Sequence, residues 1–169
     1  MAAKPLRLPV DTNVLLDLAD EVEDVLDALS VIDRRLPEAD GLVPPSVLDE
    51  LAYLCDSGQT RQVRESARKA LRQLREEKRF RPLLELLLGE EVAESLAADF
   101  RQRGLLPAEE LHEALILAEA ALLNCGMSLT SDEHLRGIDH EEPTLVLHPH
   151  GLAAPVIATP REIVRKFFR

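Results

Sequence analysis

Short apolar runs that end at polar turns alternate along this chain with longer segments of helical period, and that alternation leaves few folds open. Leu6 to Val10 reads as a brief buried strand running into the turn Asp11-Thr12-Asn13, after which Val14, Leu15, Leu16 and Leu18 begin a helix. A second helix is expected from about Val22 to Arg35, with Val25, Leu26, Leu29 and Ile32 inward and Pro37 as its stop. Gly41-Leu42-Val43 is the next strand. Pro44-Pro45 then fits the first turn of a helix that carries Val47, Leu48, Leu51, Leu54 and Cys55 inward, turns Glu50 to another side and closes at Asp56-Ser57-Gly58.

The second half repeats the pattern. Pro82 interrupts a helical stretch from Arg61 to Arg79, and Leu83 to Leu88 fits either a short strand or a buried helical turn. Helices are expected from Glu90 to Arg103, ended by Gly104, and from Pro107 to Asn124, stopped by Gly126. Met127 to Thr130, Thr144 to Leu147 and Val156 to Ala158 read as strands, and Pro160 to Phe168 as a closing helix. Strands separated by helices predict an α/β three-layer sandwich with a central, mainly parallel sheet flanked by helices. The whole span 1–169 reads as one domain, with a helical segment at about 58–106. In such sheets ligands bind beyond the carboxyl ends of strands, where strand order reverses, and Asp11 and Asp132 stand at such ends.

Composition narrows the function. Trp is absent and aromatic residues make up 3% of the chain, which argues against a base-stacking platform. The net charge of −11 argues against a simple nucleic-acid coat protein. Arg61 to Arg81 departs from that balance, with nine basic residues against three acidic ones. On a helix Arg61, Arg64, Arg68, Arg72, Arg75 and Arg79 fall within roughly 80° of arc, opposite Val63, Ala67, Ala70, Leu71 and Leu74. That face suits a phosphate track, a solubilising surface or contact with an acidic partner. The apolar runs are too short for a membrane span or a signal peptide, so the expected location is cytoplasmic. Cys55 and Cys125 lack the close pairing of zinc or redox motifs and read as free thiols.

Four acids sit at the joints of the pattern: Asp11 after the first strand, Glu50 after VPPSVLD, Glu113 opening EALILAEAALL, and Asp132 after MSLTS. Singly each has a structural explanation, as a helix cap, a solvated helix residue or a turn former. Together they describe a carboxylate cluster whose repulsion a hard divalent cation would relieve while activating water. His112, His134, His140, His148 and His150 match no strong zinc spacing, and neither a glycine-rich phosphate loop nor a GxSxG elbow is present. A phosphoacceptor switch also uses acids at strand ends, but it wants a later lysine, and none lies between Lys78 and Lys166.

The chain resembles the PIN-domain ribonucleases, including the VapC-type toxins of bacterial toxin–antitoxin pairs, through LPVDTNVLLDL, VPPSVLDELAYL, EALILAEAALLNCGMSLTSD and VIATPREIVRKF. Residues 58 to 106 match only as generic helices. The resemblance implies a PIN-like fold, Mg²⁺ or Mn²⁺ as cofactor, and RNA as substrate. Asp11, Glu50, Glu113 and Asp132 would be catalytic and metal-ligating residues, with Asn13 holding the first loop and Thr130 or Ser131 orienting the site. It also implies an antitoxin partner and self-association as a dimer. Glu113 stands where the family usually has Asp, and Glu110, one helical turn earlier, is the alternative third acid. The competing expectation is a catalytically weakened PIN-like domain that binds RNA or protein.

Overall fold

The computed structural model of the protein describes residues 4–84 and 89–167. Three strands form one parallel ladder: β1 (Arg7–Pro9), β2 (Asp40–Val43) and β3 (Phe80–Pro82), with β2 central. β4 (Met127–Leu129) and β5 (Val156–Ala158) form a second parallel pair. A parallel bridge between Val10 and Leu129 joins the two, so the strands run in the order β5, β4, β1, β2, β3. The chain builds outward from β1 to β3 on one side and from β4 to β5 on the other. The order therefore reverses between β1 and β4, where an open parallel sheet forms a crevice at its carboxyl edge.

Helices cover the sheet because parallel strands need crossovers and bury both faces. α1 (Thr12–Ala19) and α2 (Glu23–Arg35) follow β1, and α3 (Pro45–Ser57) and α4 (Arg61–Glu76) follow β2. α5 (Glu90–Gln102) and α6 (Leu111–Leu122) lead to β4, and α7 (Glu133–Arg136) and α8 (Glu141–Leu147) lead to β5. α9 (Pro160–Phe167) closes the chain and packs on α2. Its start is a capping box: Thr159 Oγ1 accepts from the Glu162 amide at 3.3 Å, and the Glu162 carboxylate accepts from the Thr159 amide at 2.9 Å.

Leu8, Val10, Val14, Val43, Val47, Leu51 and Leu129 build one core around the sheet. Ala93, Phe100, Leu117, Val146 and Leu147 build a second between α5, α6 and α8. Gly41 marks the tightest approach of β2 to β3, since a Cβ there would lie 2.6 Å from the Phe80 ring and 3.0 Å from the Arg79 carbonyl.

Several sequence expectations need correction. Thr144 to Leu147 belongs to α8, not to a strand. A four-residue apolar run has no decisive period, and Glu141, Glu142 and Pro143 supply a helical first turn. α6 begins at Leu111, because Pro107 instead opens a turn in which the Glu110 amide donates to the Pro107 carbonyl at 3.0 Å. That helix ends before a left-handed Asn124, with φ of 54°, not at Gly126. Arg79 lies beyond the end of α4 and precedes β3, a strand the sequence did not suggest at Phe80–Pro82. Of the Leu83 to Leu88 run, residues 85–88 lie outside the described residues.

Candidate active site

Asp11 sits where β1 gives way to α1, and its local role is that of a helix N-cap: Oδ1 accepts from the Val14 amide at 2.8 Å. Its other oxygen turns across the crevice to the end of β4. Oδ2 accepts from the Thr130 hydroxyl and from the Ser131 amide at 3.2 Å. Thr130 in turn accepts from the Asp132 amide at 2.9 Å, and Asp132 caps α7 by accepting from the Leu135 amide at 3.1 Å. Thr130, itself fully buried, thus ties the two strand-end aspartates into one structure. Ser131 also donates to Asp17 at 3.2 Å.

Asp11 is only 3% exposed. Burial pushes its carboxyl up to about 6, and the nearby Asp132 adds to the rise, while bonds from Thr130, Val14 and Ser131 oppose it. Burial likewise raises Asp17 above the usual carboxylate range. A carboxylate in this state would gain from a nearby cation.

The α3 and α6 helices add two polar rungs. Glu50 accepts from the Thr12 hydroxyl and pairs with His112 Nε2, which also lies 3.4 Å from Thr12 Oγ1. Burial acts to raise the Glu50 carboxyl, but bonds from His112 and Thr12 outweigh it, and the net shift is downward. Burial acts to lower His112, and Glu50 reverses this to a net rise. One turn away on α3, the Ser46 amide and hydroxyl donate to Glu119, the amide at 3.1 Å. Glu119 is 3% exposed, and burial pushes it up to about 6. Ser46 and Glu50 are spaced i, i+4 on one helix while His112 and Glu119 are spaced i, i+7 on the other, so α3 and α6 run antiparallel here. A cavity of about 360 Å³ opens on these rungs, lined by Ser46, Asp49, Glu50, Tyr53, His112 and Glu119. A larger groove of about 500 Å³ follows β5 and α9 and contains none of these acids.

The structure therefore joins Asp11, Thr130, Ser131 and Asp132 directly, and brings Glu50 to Thr12, the neighbour of Asp11. Glu113, next to His112, pairs with the alternative third acid: burial raises its carboxyl first and a hydrogen bond with Glu110 second, while His112 opposes the rise. Asn13 is exposed on the first turn of α1. Thr12, Ser46, His112 and Glu119 belong to the constellation although the sequence singled out none of them for it. Among the described residues no group of three or more His, Cys, Asp or Glu side chains is gathered closely enough to hold a metal ion by itself. Mg²⁺ needs fewer protein ligands than that, commonly one or two carboxylates completed by water and substrate phosphate.

The PIN-domain family profile matches residues 9–141, from the end of β1 to the start of α8. The chain belongs to the PIN-domain family. Solved structures agree on the fold of this PIN domain. A chain of VapBC2 from Rickettsia felis, bound to a DNA fragment from its promoter, superposes with a TM-score of 0.59 at 13% identity, covering 91% of this chain and 98% of that one. A chain of VapBC-1 from nontypeable Haemophilus influenzae gives 0.56 at 15% identity, covering 92% and 98%. No curated protein sequence matches the chain. No helix among the described residues is long and apolar enough to cross a membrane.

Proposed function

We propose that this PIN domain is a metal-dependent endoribonuclease that hydrolyses RNA phosphodiester bonds and serves as the toxin of a toxin–antitoxin pair. The observation that carries this is the buried Asp11 carboxylate at the β1–β4 switch point, tied through Thr130 to Asp132. Its family consists typically of nucleases, and the structural neighbours are chains of VapBC complexes, which supports a protein partner that restrains it.

The donor set fits Mg²⁺ or Mn²⁺, because hard cations take carboxylate oxygens and the elevated Asp11 would be relieved by positive charge. Asp11 and Asp132 would hold the cation, with Glu50 as a further acid and Glu113 or Glu110 as an outlying one. When bound, such an ion makes water nucleophilic near neutral pH and neutralises charge growing on the phosphate. The Val14 amide, the Thr130 hydroxyl and the Ser131 amide fix both oxygens of Asp11, which leaves the second lone pair of Oδ1 aimed without free rotation. Thr12 and His112 hold Glu50 in the same way.

A catalytically weakened domain that binds RNA or protein is the second reading, favoured by the contact between Glu113 and Glu110. Purified protein incubated with single-stranded RNA and Mn²⁺, beside an Asp11→Asn control, separates the two. Cleavage by the wild type that the substitution abolishes supports the nuclease. No cleavage in either supports the binding module, and equal cleavage in both marks a contaminating enzyme and contradicts the proposal.

A further inference from the structure

The arginine face of α4 sits at the wrong end of the molecule to line the acidic crevice. Asp11 caps the N-terminal end of α1, and Glu50, midway along α3, reaches that end through the Thr12 hydroxyl. α4 is fastened to the C-terminal ends of α1 and α3. The Ser66 hydroxyl donates to Asp20 at 2.6 Å, Lys69 faces Glu21 at 4.0 Å, and Arg64 donates to the Gly58 carbonyl at 2.7 Å. Along α1 alone, Asp11 and Asp20 are about 13 Å apart by helical rise.

The six arginines also divide by task. Arg64 caps α3, and Arg79, beyond the helix, holds α2 through the Leu29 carbonyl at 3.1 Å and Asp33 at 2.7 Å. Arg61 pairs along the helix with Glu65 at 2.7 Å. Arg68 reaches Asp56 only at 3.7 Å, with both side chains more than half exposed. Arg72 and Arg75 are exposed and make no hydrogen bond or ion pair among the described residues. Exposed pairs of the Arg68 kind hold weakly and yield to a stronger anion.

We infer that Arg68, Arg72 and Arg75, with Lys69 beside them, form a phosphate-gripping surface for single-stranded RNA, separate from the cleavage crevice and sequence-indifferent. Charge complementarity selects the occupant: on a chain of net charge −11, this face concentrates four cations, of which Arg68 and Lys69 have only long, exposed acid contacts and Arg72 and Arg75 have none among the described residues. The three guanidinium groups follow one another at about 6 and 4.5 Å of helical rise, a ladder suited to a phosphate backbone. The face carries no aromatic residue, so it contacts phosphates and leaves the bases unread. This deepens the ribonuclease reading and rests on it for the choice of RNA. Its consequence is that long RNA is held far better than short RNA, because each further phosphate along the strand adds to the electrostatic attraction of the face.

The test is fluorescence-anisotropy titration of the Asp11→Asn protein, without cleavage, against labelled single strands of about 20 and about 4 nucleotides over a range of salt. The triple variant Arg68→Ala, Arg72→Ala, Arg75→Ala should bind the longer strand about a hundredfold more weakly at 0.1 M salt, with the log–log salt slope reduced by about 2. The 4-mer should bind weakly to both proteins. The triple Arg→Lys variant should keep the slope, which shows that charge and not folding is being read. Unchanged affinity and slope in the alanine variant overturns the surface. So does displacement of the RNA by polyglutamate at equal charge concentration, which would assign the face to an acidic protein, or equally tight capture of duplex DNA. Cleavage by the wild-type protein is scored separately, so the nuclease and the gripping surface can fail independently.

Discussion

The two ends of α1 handle charge in opposite ways. At its N-terminal end Asp11, Glu50 and Glu119 are buried or half-buried and held by hydroxyls, backbone amides and one imidazole. At its C-terminal end α4 presents Arg68, Arg72 and Arg75, exposed arginines whose acid partners are distant or, among the described residues, lacking. Hydroxyl and amide donors fix Asp11 in place without cancelling its charge, so that carboxylate would still gain from a cation. Exposed guanidinium groups cost little to leave unpaired because water solvates them, so the second end stays positive and available to an anion. On the proposed reading, a single chain separates the group that would do chemistry from the group that would attract a polyanion, and avoids their mutual neutralisation.

The sharpest way to break this contrast is at Asp11. Asp11→Asn or Asp132→Asn should lower metal-dependent RNA cleavage by about a thousandfold or more, read as initial rates. A loss of only a few-fold would remove both from the centre of the site. The next effect is on stability. Asp11 holds its proton up to about 6 when folded against an ordinary value of 3.8, so between those values the folded chain binds more protons than the unfolded one. The Asp11 contribution is then fully present below about pH 4, is lost as pH rises through 6 and is flat above, amounting to at most about 3 kcal/mol. Denaturant midpoints of wild type minus Asp11→Asn at pH 4.5 and 7 measure it, and a difference that grows in favour of the wild type with pH would have the wrong sign.

Smaller again is Glu119→Ala, which strands the Ser46 amide and hydroxyl and should cost about 2 kcal/mol in denaturant unfolding, whereas Glu119→Gln keeps an acceptor and should recover much of it. At the opposite end Arg72→Ala should leave stability within about 0.5 kcal/mol, since that exposed side chain makes no hydrogen bond or ion pair among the described residues. A destabilisation comparable to that of Glu119→Ala would mean that the arginine face is structural.

The strand ends were legible because apolar runs followed by Asp11 and by Thr130-Ser131-Asp132 mark where a parallel sheet stops. The partners of the acids were harder to see. His112 and Glu119 lie two turns apart on α6, and Ser46 and Glu50 one turn apart on α3; nothing local reveals that these spacings meet until the helices are known to be antiparallel neighbours. β3 escaped notice because Phe80-Arg81-Pro82 has one buried residue and gains its place only from β2, through the close approach at Gly41. The arginine periodicity was plain in the sequence, but its position relative to the acids was not, because helical period fixes a face and leaves the end to which the helix is fastened undetermined.

Calorimetric titration of Mn²⁺ at pH 7 into the wild-type protein and into Asp11→Asn tests most directly whether the strand-end carboxylates form a cation site. Saturable binding to the wild type that vanishes in the variant is the predicted result. Equal binding by both proteins, or none by the wild type in the presence of RNA, would contradict it.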